Sequence, residues 1–257
     1  MPDSTRSPDQ IIRLDARDKL GRLMHDLRIS VMDRCNFRCP YCMPKDTFNE
    51  SYRFLKSTQR LDFDEIIKVA RVCVGLGVRK LRLTGGEPLL RTGLADLVGE
   101  LSAIEGVEDL ALTTNGVLLA QHAAELKANG LHRVTVSLDT LDPETFERMS
   151  GGFGGLEKVL EGITMAIESG LRPVKVNAVI QRGANDDSIM PLLERFRGTP
   201  VILRLVEYMD VGNRNEWRPE EVVPSAEILE RIRARWPVTA LPGKYAGEVA
   251  DRYAYDD

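Results

Sequence analysis

The amino-acid sequence predicts an α/β protein built as a partial (β/α)6 TIM-like barrel. Six short β-branched runs alternate with helical segments along the chain, and polar residues recur at every second position of several runs. Strand–helix alternation implies parallel strands joined by right-handed crossovers. Six such units favour a partial barrel over a closed barrel of eight. A flat doubly wound sheet is the alternative architecture.

The strand candidates are bounded by residues typical of turns and helix ends. They cover 27–31, 80–84, 109–113, 133–138, 174–180 and 201–207. Apolar residues at helical spacing predict helices over 63–76, 93–104, 118–129, 143–149, 156–169, 188–196 and 225–236. Gly77, Gly130 and Gly170 stand where a helix should end, as glycines often do. No element is assigned to 242–257.

Alternating polar residues on the strands separate the two architectures. Buried strands of a parallel sheet usually read as continuous apolar runs, whereas successive side chains of any strand point to opposite faces. The pattern predicts an inner, polar face and an outer face packed on helices, hence a barrel with a wet functional lumen. Exposed strand ends are the alternative explanation. The polar residues are Lys80, Arg82, Thr84, Thr113, Asn115, Thr135, Ser137, Asp139, Lys175, Asn177 and Arg204.

Composition and charge argue against a nucleic-acid-binding, membrane-spanning or secreted protein. The chain has 257 residues, of which 43% are hydrophobic and 29% charged, and its formal net charge is -4. This balance predicts no nucleic acid and no anionic membrane as partner. No apolar run is long enough to cross a bilayer, and the N-terminus lacks the apolar core of a secretion signal. A cytoplasmic location is expected, with residues 1–12 as a flexible N-terminus and 13–240 as the barrel.

Three of the four cysteines form one compact motif. Cys35, Cys39 and Cys42 follow the first predicted strand with the spacing C-x3-C-x2-C. Three thiolates on one loop would ligate three irons of a [4Fe-4S] cluster and leave the fourth iron open to a ligand. Structural zinc is the alternative, although it favours four ligands and paired C-x2-C spacing. Cys73 falls within a predicted helix among apolar residues and is expected to be a core residue.

The cysteine motif, with an aromatic residue before its last cysteine, resembles the signature of the radical S-adenosylmethionine (SAM) superfamily. Thr84-Gly85-Gly86-Glu87-Pro88, after the second predicted strand, resembles that superfamily's GGEP segment, which contacts the methionyl amino group. The resemblance implies a barrel of the radical SAM type whose cluster binds SAM at the open iron. An electron from the cluster would then cleave SAM to methionine and a 5′-deoxyadenosyl radical.

Further segments resemble the GTP 3′,8-cyclase family, also called molybdenum cofactor biosynthesis protein A. The similarity runs from about residue 14 to the C-terminus. Its segments are DLRISV (26–31), DRCNFRCPYCMP (33–44), RLTGGEPLLR (82–91), TTNG (113–116), VSLDTLD (136–142), VKVNAVI (174–180) and LRLVEYMDVG (203–212).

The resemblance assigns a role to each matching position. Cys35, Cys39 and Cys42 would hold the cluster. Tyr41, Gly86, Ser137 and Met209 lie at SAM-contacting positions. Arg28, Arg82, Thr113 and Lys175 lie at GTP-contacting positions, with Lys80 and Arg204 as additional phosphate contacts. No protein side chain is expected to act as a catalytic group.

The family reaction cyclises GTP to 3′,8-cyclo-7,8-dihydro-GTP, as a lyase, in molybdenum cofactor biosynthesis. The expected partners are GTP and an electron donor, with a homodimer as the candidate assembly. Arg and Lys suit the negative charge of a triphosphate. The alternatives are another radical SAM enzyme, such as one that modifies peptides, and a non-catalytic zinc-binding protein.

The cysteine content departs from the family. Family members carry a second [4Fe-4S] cluster near the C-terminus, on a C-x2-C pair and a later cysteine. This sequence has no cysteine after Cys73. Residues 241–257 are therefore expected to be the start of a truncated C-terminal region, with a divergent homologue as the alternative. Productive binding of GTP would then be impaired, while the part of the barrel that holds the first cluster and SAM would stay intact.

Overall fold

A computed structural model describes residues 14, 16–211, 216–243 and 250–257. Six parallel strands form one sheet in the order β1-β2-β3-β4-β5-β6. Their bounds are β1 Asp26–Ser30, β2 Lys80–Thr84, β3 Asp109–Thr114, β4 Arg133–Ser137, β5 Val174–Ile180 and β6 Val201–Glu207. Each strand pairs with the next one in the chain, whereas a doubly wound sheet reverses its strand order at a switch point. The predicted partial barrel is confirmed.

Seven helices in the described residues connect or follow these strands. They are α1 Phe63–Gly75, α2 Leu94–Ser102, α3 Leu119–Ala128, α4 Pro143–Met149, α5 Leu156–Glu168, α6 Ile189–Phe196 and α7 Ser225–Arg233. Local sequence explains where several begin. Asp62 accepts a hydrogen bond from the backbone N–H of Glu65, whose side chain accepts from the N–H of Asp62, so a capping box starts α1. Pro143 follows the capping Asp142 at the start of α4.

The two faces of the sheet differ as the alternating pattern predicts. On β5 the residues alternate between buried and half-buried from Val174 to Ile180. Leu81, Leu83 and Val136 are fully buried against the helices, where they contribute to one hydrophobic core. The opposite row contains Arg82 and lines the inner face of the sheet, which is called the lumen below.

Most polar residues of the lumen lie inside paired strand segments, whereas Asn115 and Asp139 lie just beyond the ends of β3 and β4. Thr113, Thr135 and Lys175 are neighbours across three adjacent strands. The next layer in the chain direction pairs Ser137 with Asn177, and Asn177 with Arg204. The lumen is therefore a layered polar surface, as predicted.

A short antiparallel ribbon follows the barrel, where the sequence predicted no element. β7 Val238–Leu241 pairs with β8 Arg252–Tyr255. The ring of Tyr255 meets that of Trp236 edge-on, with centroids 5.8 Å apart. A four-residue strand has too little periodicity to be recognised alone, since its stability comes from its partner strand and this aromatic contact.

In the described ranges, every helix is too short or too polar to cross a membrane. The predicted flexible N-terminus, residues 1–12, lies outside the described residues. Because the six strands of the barrel are parallel, their carboxyl ends lie at one edge. Ligands of parallel barrels bind at that edge.

Candidate active site

The cysteine loop follows β1 and is organised by Arg38. Its guanidinium donates to the carbonyl oxygens of Cys35 and Phe37, each at 2.8 Å, and to that of Phe48 at 2.9 Å. The backbone N–H groups of Cys42 and Met43 donate to the carbonyl oxygen of Cys39 at 3.0 and 2.8 Å. The loop thus has a fixed turn between its last two cysteines.

The three motif cysteines are free thiols gathered in one region. Cys35 and Cys39 are half-buried, while Cys42 is exposed. Burial raises the pKa of each thiol, and charge on either Cys35 or Cys42 would raise the pKa of Cys39 further, which requires the three to lie close together. A thiolate at these positions needs a positive partner. A bound metal is such a partner, and its binding releases the thiol protons.

The three thiols suit an iron–sulfur cluster better than a single metal ion. Among the described residues, no three His, Cys, Asp or Glu side chains converge on a position for a single metal ion. A [4Fe-4S] cluster makes a different demand, because each thiolate binds a different iron. Three clustered free thiols on one loop fit that demand. Cys73 lies on α1 and packs against the hydrophobic core, as predicted.

The GGEP loop lies directly against the cysteine loop. A Cβ atom on Gly85 would be 2.3 Å from the carbonyl oxygen of Met32, and one on Gly86 would be 2.2 Å from that of Arg34. The N–H of Gly86 donates to the Met32 carbonyl at 2.6 Å, and that of Glu87 to the Arg34 carbonyl at 2.7 Å. Only glycine permits this approach, which brings the backbone of the two motifs together.

The carboxylate of Glu87 fixes the GGEP loop to the end of β3. Glu87 is fully buried. It accepts hydrogen bonds from the Thr114 hydroxyl at 2.7 Å, the Asn115 N–H at 2.8 Å and the Leu89 N–H at 3.0 Å. Burial raises the pKa of Glu87 and these bonds oppose the rise. The network makes the second motif a rigid part of the site.

A second buried carboxylate holds the cysteine loop from the other side. The Tyr41 hydroxyl donates to Asp139 at 2.6 Å, and the N–H of Val179 donates to the same carboxylate at 2.9 Å. Burial raises the pKa of Asp139 to about 6 and holds that of Tyr41 well above its usual value. Asp139 therefore links the loop to the carboxyl ends of β4 and β5.

Cationic side chains are concentrated in the lumen. The pKa of Arg82 is lowered by burial and then by the positive charges of Arg133, Arg204 and Arg28. Lys80 pairs with Asp26 at 3.0 Å, and Arg133 makes a two-pronged ion pair with Asp109. Arg28, Arg82 and Arg204 thus share a region with excess positive charge, a setting that favours an anionic ligand.

Two oxygen atoms of the lumen have no hydrogen-bond partner among the described residues. They are the hydroxyl oxygen of Thr135, which is 1% exposed, and the side-chain oxygen of Asn177. A buried polar group without a partner costs free energy. Both atoms are closed to solvent, so they are a cost of the polar lumen and not contacts open to a ligand.

The structure brings most predicted site residues to one edge of the barrel. Tyr41, Gly86 and Ser137 lie at the carboxyl ends of strands or in the cysteine loop, and Thr113 and Lys175 line the lumen. Arg28 lies on the same face at β1 and is exposed; it donates to the Thr84 hydroxyl at 3.4 Å. Met209 lies two residues beyond β6 and is 56% exposed.

Sequence reasoning assigned no role to three residues that the structure places in the site. They are Glu87 as a loop anchor, Asp139 as the partner of Tyr41, and Asn36 beside Cys35. All three stand within the segments that resemble the family, which was the available signal. Glu87 and Asp139 bond to residues far away in the chain, so the sequence could not pair them.

Comparison with known proteins gives the family. The Radical SAM superfamily profile matches residues 29–196. A GTP 3′,8-cyclase of Xanthomonas axonopodis pv. citri is 54% identical over 241 residues, covering 94% of this chain and 72% of the relative. A GTP 3′,8-cyclase of Acidothermus cellulolyticus is 53% identical, covering 94% and 67%. A third, of Staphylococcus haemolyticus, is 47% identical, covering 94% and 71%.

Solved structures resemble the fold at low sequence identity. Methylornithine synthase (PylB) superposes with a TM-score of 0.62 at 16% identity, over 81% of this chain and 61% of its own. Native anSMEcpe with bound AdoMet gives a TM-score of 0.60 at 16% identity, over 82% and 60%. These two matches concern the fold alone. Profile and relatives together show that the chain belongs to the radical SAM superfamily and, within it, to the GTP 3′,8-cyclase family.

Proposed function

We propose that this radical SAM enzyme cyclises GTP to 3′,8-cyclo-7,8-dihydro-GTP in molybdenum cofactor biosynthesis. The single observation that carries the proposal is a juxtaposition. The cysteine and GGEP loops pack backbone to backbone at the edge of a lumen that holds an excess of cationic side chains. One edge of the barrel thus offers a place for a cluster and its SAM, and beside it a place for a triphosphate.

Cys35, Cys39 and Cys42 would hold a [4Fe-4S] cluster through their three thiolates. When bound, this group supplies the electron that cleaves SAM and so provides a radical able to abstract hydrogen from GTP. The protein contributes position and shielding. Arg38 fixes the loop from within, and Asp139 ties it to the barrel through Tyr41.

SAM would lie between the two loops and the top of the sheet. The backbone of Gly86 and the side chains of Tyr41, Ser137 and Met209 are the proposed contacts. Glycine at position 86 lets a ligand approach the backbone closely, and the Glu87 network keeps that backbone in place. A rigid binding surface lowers the entropy lost when the cofactor is oriented.

GTP would lie deeper in the lumen. Arg28, Arg82, Thr113 and Lys175 are the proposed contacts, with Lys80 and Arg204 as further partners of the phosphates. Electrostatics support this placement, because a polyanion that binds here would offset the repulsion between Arg82 and the neighbouring arginines.

The proposal includes an electron donor, a homodimer and a cytoplasmic location, where a reducing environment keeps the thiols free. Residues 13–240 would form the catalytic barrel. The family's second cluster would have no cysteine ligands in this sequence after Cys73.

The experiment is an anaerobic assay of the iron- and sulfide-reconstituted protein with dithionite, SAM and GTP. Chromatography should detect 5′-deoxyadenosine and consumption of GTP. Cys39→Ala should abolish formation of 5′-deoxyadenosine, because one of three cluster ligands is lost. Cys73→Ala is the matched control and should retain it, since Cys73 packs in the core. Cleavage of SAM by Cys39→Ala would remove the cluster assignment.

A further inference from the structure

Asn115 directly follows β3 and reaches the cysteine loop. Its backbone is fixed by the Glu87 carboxylate, which accepts the Asn115 N–H at 2.8 Å. The side chain is half-buried and points towards Cys35. Asn115 therefore connects a rigid network behind the GGEP loop with one of the three proposed cluster ligands.

Hydrogen bonding determines which way the Asn115 amide is turned. Its Oδ1 accepts from the backbone N–H of Val117 at 3.1 Å. A backbone N–H can only donate, so the atom that faces it must be the oxygen. The Nδ2 group is left to face the cysteine loop, where it donates to Asn36 Oδ1 at 2.7 Å and lies 3.8 Å from Cys35 Sγ.

Cys35 also receives a second N–H group. The backbone N–H of Phe37 lies 3.3 Å from the same sulfur. An N–H directed at a cluster thiolate stabilises its negative charge, and the effect grows when an added electron makes the cluster more negative. Hydrogen bonds to the sulfurs are among the factors that set the reduction potential of an iron–sulfur cluster.

We propose that Asn115 is a positioning residue that raises the reduction potential of the cluster through an N–H···S hydrogen bond to Cys35. The inference deepens the proposed function and rests on it. Asn36 helps to hold this amide in place, since its oxygen accepts from Asn115 Nδ2 at 2.7 Å, while the same nitrogen lies 3.8 Å from Cys35 Sγ. The amide thereby makes the one-electron reduction easier, the event on which cleavage of SAM depends.

The test compares midpoint potentials of reconstituted proteins by redox titration followed with electron paramagnetic resonance. Asn115→Leu removes the donor with little change in volume. Asn115→Ala also removes it without adding a charge, and serves if the first variant does not fold. Asn129→Leu is the matched control: it makes the same substitution at the C-terminal end of α3, where the amide donates to the Glu125 carbonyl oxygen and not to sulfur. Iron and sulfide content is measured for each protein.

Both Asn115 variants should bind a full cluster that is harder to reduce. The ratio of reduced to oxidised cluster at a fixed potential should fall roughly tenfold, equivalent to about 59 mV for one electron, while Asn129→Leu keeps the potential of the unsubstituted protein. An unshifted potential in the Asn115 variants, or an equal shift in Asn129→Leu, would overturn the tuning role alone. If the unsubstituted protein assembles no SAM-responsive cluster, the proposed function fails and this inference with it.

Discussion

Lys175 lies on β5 in the row that faces the lumen, beside Thr135 of the neighbouring strand. The residue is half-buried and lies on the lumen face that we propose for GTP. A charged hydrogen bond to a phosphate oxygen contributes more than a neutral one, and losing it would leave the oxygen less well solvated than in water. A substitution of Lys175 therefore tests directly whether the lumen binds the phosphates of GTP.

We expect Lys175→Ala to weaken binding of GTP by roughly tenfold to a hundredfold, the equivalent of about 1.5–3 kcal/mol for one charged hydrogen bond. Cleavage of SAM should continue, uncoupled from GTP, because the cysteine loop is untouched. Equilibrium dialysis measures the first effect and 5′-deoxyadenosine formation the second. Lys158→Ala, on the exposed face of α5, is the control. An unchanged affinity for GTP would exclude Lys175 from the binding site.

Single residues also show the limit of prediction from sequence. The cysteine spacing and the alternating polar rows were sufficient to identify the thiols and the lumen side chains. The roles of Glu87 and Asp139 were not predictable, because their partners Thr114 and Tyr41 are 27 and 98 positions away. Such anchors become visible only when the fold brings distant segments together.

At the scale of elements, the site depends on two loops that touch through their backbones. Gly86→Ala would place a methyl group 2.2 Å from the carbonyl oxygen of Arg34, so one loop must move. We expect the free energy of unfolding to fall by about 1–3 kcal/mol, as for overpacked interiors. Binding of SAM should be lost with the displaced loop. Thermal denaturation and SAM binding by equilibrium dialysis measure the two effects.

The matched control for this change is Gly154→Ala, since a methyl group at Gly154 would meet nothing within 4 Å. It should keep both stability and SAM binding. If Gly86→Ala were as stable as the control and bound SAM equally well, close packing of the two loops would not be needed for the site.

Elements with strong periodicity were predicted closely. β5 and β6 begin and end where the sequence placed them, and α4 does as well. Their apolar residues repeat over enough positions, or their caps are clear enough, to set the bounds locally. The ribbon of β7 and β8 was missed because its pairing joins segments with little pattern of their own.

The whole molecule combines a net negative charge with a cationic lumen. The formal net charge is -4, whereas Arg28 and Arg204 lie close enough to Arg82 to lower its pKa, after the larger effects of burial and of Arg133. Overall composition therefore gave no sign of an anionic substrate, and only the folding of separate strands into one barrel concentrates the cations. The same fold brings the cysteine loop to the edge of that lumen, so the cofactor and substrate sites that we propose would adjoin each other.

The most direct test of this account is electron paramagnetic resonance of the anaerobically reconstituted, dithionite-reduced protein, recorded with and without SAM. The account predicts the signal of a reduced [4Fe-4S] cluster that changes when SAM is added, because three thiolates leave one iron open to a ligand. A protein without such a signal that instead holds one zinc ion per chain would contradict it.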